Sequence, residues 1–271
     1  MSHVLSIQDL SCVGRCSLTV ALPVYGAMGI RCSVLPTAVL STHTAFPKPE
    51  AVSLREQMVP FARHWKENGI AFDGISLGYL SNPAEGEAAM QVLDMQENDP
   101  LILVDPVMGD GGKLYSRITP AHIETMRRLC ARADMIVPNL TEAAYLTGLP
   151  YRETDDRGYL GELLAALLDM AENAVITGVP YGTDMLGVFG GGRGTSPFDL
   201  KKSRIPRSCH GTGDLFAAVI TGCLMEGRTI PCAAGTAMDF VCRCVENTPD
   251  PTPHGVEFES QLPWLMKRTV N

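Results

Sequence analysis

The sequence predicts an α/β protein in which a central, mostly parallel β-sheet is covered by helices on both faces. Short apolar segments such as 4–7 and 101–104 alternate with segments of helical periodicity that are about ten residues or longer. The apolar segments are nearly continuous, as in strands that are buried on both sides of a sheet. The 271 residues contain no repeat and no low-complexity linker, so we expect 1–271 to form a single domain.

Composition and charge are typical of a compact, soluble enzyme. Hydrophobic residues make up 45% of the chain and charged residues 19%, which excludes a disordered or fibrous protein. The net charge of −8, without a block of Lys or Arg, argues against a nucleic-acid partner. No apolar run approaches the roughly 18 residues of a membrane span, and the N-terminus does not resemble a signal peptide. The nine cysteines form no Cys-x-x-Cys pair, which predicts reduced, buried thiols and a cytoplasmic protein.

The individual elements follow from apolar periodicity and from start and stop residues. Strands are predicted at 4–7, 31–36, 74–79, 101–104, 135–137 and 175–178. Helices are predicted at 17–28, 52–65, 84–95, 215–224 and 231–245, with a short helix after them. The glycine-rich segment 185–194 is predicted to be a hairpin region. Within it, 190–194 is interpreted as a mobile turn, because no Gly-Lys-Ser/Thr of a phosphate loop follows.

Ligands in such sheets bind beyond the carboxyl ends of the strands, so candidate site residues are sought there. The segment 8–14 has no Gly-x-Gly-x-x-Gly, which argues against a dinucleotide site and an oxidoreductase. Asp105 and Asp110 follow an apolar strand and fit either a magnesium site or an acidic turn. Asn139 and Glu142 fit either a helix capping box or contacts to a nucleotide phosphate and a metal-bound water.

The most informative segment is 210–216, where a turn of small residues opens an apolar helix. Gly211 and Gly213 let the backbone approach a ligand, and the free first amides of the helix suit an anion such as phosphate. Asp214 fits two roles. It could satisfy first-turn amides, or it could act as a general base beside a phosphate site.

Three long motifs in this order resemble the ribokinase-like superfamily. They are Asp-Pro-Val-Met-Gly-Asp at 105–110, Pro-Asn-Leu-Thr-Glu at 138–142 and Gly-Thr-Gly-Asp-Leu-Phe-Ala-Ala at 211–218. Within that superfamily, the segments at 4–8, 43–44 and 78–79 resemble the vitamin-binding segments of the pyridoxal kinases. The resemblance covers essentially the whole chain. It implies a ribokinase-like three-layer sandwich, a homodimer, and ATP-dependent phosphorylation of a vitamin B6 vitamer at its 5′-hydroxymethyl group.

The resemblance also implies the residues of the phosphoryl-transfer step. Asp214 would be the catalytic base, taking the proton of the 5′-hydroxymethyl group as its oxygen attacks the γ-phosphate of ATP. Gly211, Thr212 and Gly213 would form the anion hole that stabilises charge on the transferred phosphoryl group.

The ATP end of the site follows from the same resemblance. Asp105, Asn139 and Glu142 would form the ATP-phosphate and magnesium group, with Asp105 and Glu142 at the metal. Thr177 would lie beside the nucleotide. The implied cofactor is Mg²⁺ with ATP, and a monovalent cation such as K⁺ is left open.

Thr44 and Tyr79 would line the vitamin pocket, with the Tyr79 ring against the pyridine. Where family members commonly have Ser, this chain has Asp9. A carboxylate there fits a protonated ring nitrogen or an amine, which favours pyridoxamine or pyridoxine over pyridoxal. The alternative is that Asp9 caps the next turn. The segment 12–15 keeps only the glycine of the usual family sequence, so the resemblance does not assign the residues of this pocket wall.

Two other functions remain open from the sequence. A kinase for hydroxymethylpyrimidine or its phosphate, in thiamine synthesis, would share the core machinery. The segments around Thr44 and Tyr79 favour the B6 kinase over it. A non-catalytic vitamin- or nucleotide-binding protein of the same fold is the third hypothesis, and the intact turn before Asp214 argues against it.

Overall fold

A computed structural model of the chain describes residues 1–207, 209–249 and 252–269. The strands in these ranges are β1 (His3–Ser11), β2 (Arg31–Leu40), β3 (Ala51–Ser53), β4 (Gly74–Leu77), β5 (Leu101–Val104), β6 (Gly109–Asp110), β7 (Lys113–Leu114), β8 (Met135–Ile136), β9 (Asn173–Tyr181), β10 (Met185–Gly192) and β11 (Phe198–Ser203). The α-helices are α1 (Leu18–Ala27), α2 (Arg55–Glu67), α3 (Pro83–Asp94), α4 (Pro120–Cys130), α5 (Leu140–Thr147), α6 (Arg157–Leu168), α7 (Thr212–Met225), α8 (Ile230–Asn247) and α9 (Leu262–Thr269).

A nine-stranded sheet runs through the molecule in the order β11-β10-β9-β8-β5-β4-β1-β2-β3. The central strands from β9 to β2 pair in parallel. At the two edges, β3, β10 and β11 pair antiparallel. The short β6-β7 hairpin lies outside this sheet. The predicted central, mostly parallel sheet is therefore confirmed.

Helices cover both faces of the sheet, and each face has its own apolar core. Helices α2 to α6 pack on one face, around side chains such as Ile7 and Ile136. Helices α1, α7, α8 and α9 pack on the other face, around side chains such as Val4 and Phe240. The arrangement is the predicted three-layer sandwich. Within the described ranges, no helix is both long enough and apolar enough to cross a bilayer.

Several predicted elements have different ends in the structure. Strand β2 continues to Leu40, four residues beyond its predicted end at 36. Residues 52–53 were predicted as helical but lie in β3, which pairs antiparallel with β2, and α2 begins only at Arg55. A tertiary pairing with a neighbouring strand here overrides the local helical pattern.

The glycine-rich segment 185–194 belongs to a hairpin, as predicted, but residues 190–192 are part of strand β10, so their interpretation as a mobile turn is wrong. β10 pairs with β9 on one side and with β11 on the other. A Cβ on Gly187 would overlap the carbonyl oxygen of Leu200, and a Cβ on Gly190 would lie 2.8 Å from the carbonyl oxygen of Ala174. These glycines let neighbouring backbones approach closely, which explains their presence in a strand.

The cysteines are less uniformly buried than predicted. Cys130, Cys223 and Cys244 are buried, as expected of small apolar side chains. Cys12 and Cys232 are exposed, so the prediction of burial is wrong for these two.

Candidate active site

The predicted site residues meet at the carboxyl edge of the parallel strands, as expected for an open α/β sheet. A cavity of about 790 Å³ opens there, within the usual range of about 300–1,000 Å³ for small-molecule sites. Every site residue predicted from the sequence lines it: Asp9, Thr44, Tyr79, Asp105, Asn139, Glu142, Thr177, Gly211, Thr212, Gly213 and Asp214. A smaller cavity of about 420 Å³, between α4 and α5, contains none of them.

The turn before α7 has a backbone conformation that requires glycine. Gly211 has a φ of 87°, and a Cβ there would overlap the carbonyl oxygen of Arg15. Helix α7 begins at the next residue, so its first amides, which have no acceptor within the helix, border the cavity. These amides and the positive end of the helix dipole form a site suited to a phosphoryl group.

Asp214 lies in the first turn of α7, directly after the residues of this anion site. Burial is the largest cause that raises its pKa to about 7, and the charge of Asp9 contributes to the same shift. The backbone N–H of Ser17 favours the ionised carboxylate and opposes the shift. A pKa near the working pH is the property that general acid–base catalysis requires.

Asp105 lies directly after β5, on the other side of the turn. Its carboxylate is 3.7 Å from the position that a Cβ on Gly213 would occupy. Burial raises the pKa of Asp105 well above its usual range, and the nearby carboxylates of Glu142 and Asp214 add to the shift. Among the described residues, no hydrogen bond to the Asp105 carboxylate is found, so its oxygens are available to a cation.

The capping box at the start of α5 is present. The Asn139 side chain accepts from the N–H of Glu142, and the Glu142 carboxylate accepts from the N–H of Asn139 at 2.9 Å. The other oxygen of Glu142 accepts from the N–H of Met108 at 2.9 Å, and the Asn139 amide donates to the carbonyl of Gly109 at 2.8 Å. The box therefore fixes the chain after Asp105, and burial raises the pKa of Glu142 to about 7.

The donor set at this end of the cavity fits a divalent cation. Among the described residues, no Lys or Arg forms an ion pair with Asp9, Asp105, Glu142 or Asp214. No group of three or more potential ligand side chains occurs within the same ranges. Mg²⁺ is usually held by one or two carboxylates together with substrate phosphates, and that is what Asp105 and Glu142 could offer.

At the opposite end of the cavity, Asp9 lies at an irregularity of β1. Gln8 pairs with Pro36 and Leu10 pairs with Val39, so the single residue between them faces two residues of β2. Proline has no N–H to donate to the strand ladder, and such bulges often redirect a side chain beside an active site.

The Asp9 carboxylate is 3% exposed and accepts two hydroxyl hydrogen bonds. Ser11 donates to it at 3.1 Å and Ser17 at 2.6 Å, and burial raises its pKa. Asp9 thus holds the following turn through serine hydroxyls, as the alternative interpretation expected, and it also lines the cavity.

Tyr79 and Thr44 approach the same end from two different loops. Tyr79 follows β4 and is half-buried. Burial raises its pKa, and the charge of Asp9 contributes. Thr44 lies in the exposed part of the loop after β2. Its neighbour His43 is buried and bonds through Nε2 to the carbonyl of Pro253 at 3.0 Å.

The sequence reasoning missed an apolar slot beside Thr177. Its walls come from β10, the segment before α7, the first turns of α7 and one face of α8. They include Val188, Ile205, Phe216, Met238, Val241 and Val245. The α8 residues recur with helical spacing, which was interpreted only as packing behind the site. The slot has the apolar lining that a nucleotide base requires.

Comparison with known proteins places this geometry in a family. The family model described as phosphomethylpyrimidine kinase matches residues 27–257. A pyridoxine/pyridoxal/pyridoxamine kinase of Bordetella bronchiseptica is 29% identical, over 90% of this chain and 89% of that protein. A hydroxymethylpyrimidine/phosphomethylpyrimidine kinase of Bacillus subtilis is 30% identical, over 84% of this chain and 80% of that protein.

Solved structures agree with the sequence relatives. The pyridoxal kinase from Lactobacillus plantarum superposes with a TM-score of 0.92 at 34% identity, covering 99% of this chain and 98% of that chain. A protein from Bacteroides thetaiotaomicron, proposed to be a phosphomethylpyrimidine kinase and crystallised with pyridoxal, superposes with the same TM-score and identity over 97% of this chain and 95% of that chain.

The fold and the site define a small-molecule kinase of the ribokinase-like superfamily, a phosphotransferase that acts on an alcohol group. Within that class, the chain belongs to the phosphomethylpyrimidine kinase family, whose relatives include pyridoxal kinases. The family predicted from the three sequence motifs is confirmed.

Proposed function

We propose that this protein transfers the γ-phosphoryl group of ATP to the 5′-hydroxymethyl group of a vitamin B6 vitamer. One observation carries the proposal. Asp214 and the amides before α7 lie in a single cavity between a polar pocket at Asp9 and Tyr79 and an acidic end at Asp105. A base and an anion site between two substrate pockets are the arrangement that direct phosphoryl transfer requires.

In the proposed reaction, Asp214 accepts the proton of the vitamin hydroxyl. The hydroxyl oxygen forms a bond to the γ-phosphorus, the bond from that phosphorus to the bridging oxygen of ADP breaks, and ADP leaves. The backbone amides of Gly211, Thr212 and Gly213 donate to the oxygens of the transferred group while negative charge is spread over them. Burial strengthens these interactions because little water competes for them.

Asp105 and Glu142 would hold Mg²⁺ together with the phosphates of ATP. The ion would neutralise charge on the phosphates and orient them towards the hydroxyl. Asn139 keeps the acidic loop in place, and Thr177 with the apolar slot would hold the nucleoside. A requirement for K⁺ is tested by replacing it with an inert organic cation in the assay.

At the vitamin end, Tyr79 would lie against the pyridine ring and Thr44 would close the pocket. Asp9 would face a positively charged group of the vitamer. Among the described residues, the side chains that donate to this buried carboxylate are two serine hydroxyls, and none is a counter-ion. A protonated ring nitrogen or the amine of pyridoxamine would supply one. We therefore expect pyridoxamine or pyridoxine to be preferred over pyridoxal.

Relatives of both vitamin classes support a kinase, but they favour B6. The similar Bordetella, Lactobacillus and Bacteroides proteins are named for, or crystallised with, B6 compounds. Hydroxymethylpyrimidine kinase is the second candidate, favoured by the family description and by the Bacillus relative. A non-catalytic binding protein has no supporting relative among those compared.

The deciding experiment measures ADP release with ATP and Mg²⁺ against pyridoxal, pyridoxine, pyridoxamine and hydroxymethylpyrimidine side by side. We expect the fastest turnover on a B6 vitamer. A preference for hydroxymethylpyrimidine would assign the protein to thiamine synthesis, with the same phosphoryl-transfer chemistry. Binding without turnover, unchanged in Asp214→Asn, would favour a binding protein.

We also infer that the chain acts as one domain, since strands from residue 3 to residue 203 share a sheet. We propose a homodimer in the cytoplasm. The fully exposed edge strand β3, with Val52 63% exposed, supports a subunit contact, and light scattering during gel filtration tests it. Free thiols such as those of Cys12, Cys130 and Cys223 support a reducing compartment.

A further inference from the structure

Ser17 has a backbone conformation that serine rarely adopts. Its φ is 48° and its ψ is −126°, a region that favours glycine because a Cβ is strained there. Lys48 and Asp99 are the other non-glycine residues with positive φ in the described ranges, and both are exposed. Ser17 is 3% exposed and lines the active-site cavity. Backbone strain of this kind persists where surrounding contacts hold the residue in place, and such residues cluster at active sites.

Each polar group of Ser17 has a partner in or beside the site. The hydroxyl donates to Asp9 at 2.6 Å, the shorter of the two hydroxyl contacts of that carboxylate. The backbone N–H favours the ionised form of the Asp214 carboxylate and lowers its pKa. The carbonyl accepts from the N–H groups of Val20 and Ala21 and so begins α1. One strained residue therefore links the vitamin-facing carboxylate to the proposed base through two different atoms.

Glycine would satisfy two of these three roles without strain. It offers the same N–H and the same carbonyl, and it favours the observed φ. Only the hydroxyl towards Asp9 requires serine. In a purely structural turn, glycine would give the same backbone contacts with less strain. The hydroxyl is therefore the reason why serine occupies this strained backbone position.

We propose that Ser17 is a positioning residue that orients the Asp9 carboxylate towards the charged group of the vitamin and thereby sets the preference among B6 vitamers. The inference rests on the proposed function, since it gives a residue at the vitamin end of the same site a role in positioning Asp9. Ser17 acts through Asp9 and need not contact the vitamin itself.

The test compares Ser17→Gly with Asp99→Gly. The second substitution relieves the strain of a positive φ at an exposed position before β5, at the end of that strand away from Asp105. For each protein, kcat and KM are measured with pyridoxal, pyridoxine, pyridoxamine and ATP, together with the thermal unfolding midpoint. We expect Ser17→Gly to fold and to lose about tenfold in kcat/KM for its best vitamer, the effect of one hydrogen bond to a charged group. Its vitamer ratio should change and its KM for ATP should not. Asp99→Gly should match the wild type.

Two further variants separate strain from the hydroxyl. Ser17→Ala keeps the strained conformation and lacks the hydroxyl, so it should show the vitamer ratio of Ser17→Gly with a lower unfolding midpoint. In the Asp9→Ser background, Ser17→Gly should have no further effect on that ratio, because its action passes through Asp9. Additive effects of the two substitutions would contradict this route.

The inference and the proposed function can fail separately. No turnover by the wild type on any B6 vitamer would overturn the proposed function. An active wild type whose vitamer ratio is unchanged in both Ser17→Gly and Ser17→Ala would overturn the role of Ser17. If turnover is absent, binding of the three vitamers, followed by their own absorbance, gives the same ratio as dissociation constants, and an unchanged ratio again rejects the role.

Discussion

The two ends of the cavity are built in different ways. At the phosphoryl-transfer end, functional residues sit at the ends of regular elements: Asp105 directly follows β5, and Asp214 lies in the first turn of α7. At the vitamin end they come from irregular backbone. Asp9 lies at a bulge, Ser17 has a left-handed conformation, and Thr44 belongs to an exposed loop. In the proposed site, the residues of the phosphoryl-transfer step thus lie on regular elements, while those that would recognise the vitamin lie on irregular backbone.

The largest expected effect is at the proposed base. Asp214→Ala should lower kcat by about two to four orders of magnitude, the usual contribution of a positioned base. The KM values for ATP and the vitamin should change little, because the pockets on either side are intact. Steady-state kinetics on the folded variant measures this, with circular dichroism as the check on folding. Near-normal activity would remove Asp214 from the mechanism.

A smaller loss is expected at the acidic end. Asp105→Asn should reduce kcat about 100-fold and raise the Mg²⁺ concentration needed for half-maximal rate, because one carboxylate ligand is lost. The same substitution removes repulsion from Glu142 and Asp214, so the unfolding midpoint without nucleotide should not fall.

Asp110→Asn is the matched variant, since Asp110 is the other acid of this loop. It is exposed and already accepts from the N–H of Gly111 at 2.8 Å. We expect its Mg²⁺ requirement to stay near that of the wild type. A larger increase in the Mg²⁺ requirement of Asp110→Asn than of Asp105→Asn would show that Asp110, and not Asp105, is the metal ligand.

The pH dependence should report the same end of the cavity. With a pKa of about 7, Asp214 is protonated and inactive as a base at lower pH and ionised at higher pH. The value of kcat/KM for the vitamin should therefore fall by about tenfold per pH unit well below pH 7. At saturating concentrations of Mg²⁺ and ATP, this fall in kcat/KM should occur at lower pH, because a nearby cation favours the ionised carboxylate. A flat profile between pH 5 and 8, with the protein folded, would contradict the assignment.

At the vitamin end the expected effect is on selectivity more than on rate. Asp9→Ser should lower the kcat/KM ratio of pyridoxamine to pyridoxal by about tenfold, the loss of one charge-assisted contact. Because burial raises the pKa of Asp9, replacing this carboxylate should not destabilise the fold at neutral pH. Parallel assays of the three vitamers measure the ratio, and an unchanged ratio would show that Asp9 does not face the ring.

The same contrast explains what the sequence could predict. Motifs that place a carboxylate directly after an apolar strand, or a glycine turn before an apolar helix, are local, so Asp105 and Asp214 were found with their elements. The irregularity at Asp9 lies in its pairing with β2, and the Ser17 hydroxyl bonds to Asp9 on another element. The strand residues 190–192 were interpreted as a turn because the close approach of neighbouring backbones, which requires their glycines, is a tertiary feature. None of these causes is visible in local periodicity.

The smallest effect is expected at Thr44, and it tests how far the vitamin pocket extends. Thr44 is exposed and borders the cavity from a loop that is held in place by its neighbour. Buried His43 bonds to the carbonyl of Pro253 at 3.0 Å and accepts from the N–H of Ala45 at 3.3 Å. Thr44→Ala should therefore raise KM for the vitamin only about threefold, the loss of one solvent-accessible hydrogen bond. His43→Ala should cost more than Thr44→Ala although His43 is not assigned to the vitamin, because it releases the whole loop. Equal effects of the two substitutions would mean that the loop keeps its position without the histidine, and that the vitamin contact itself is what matters there.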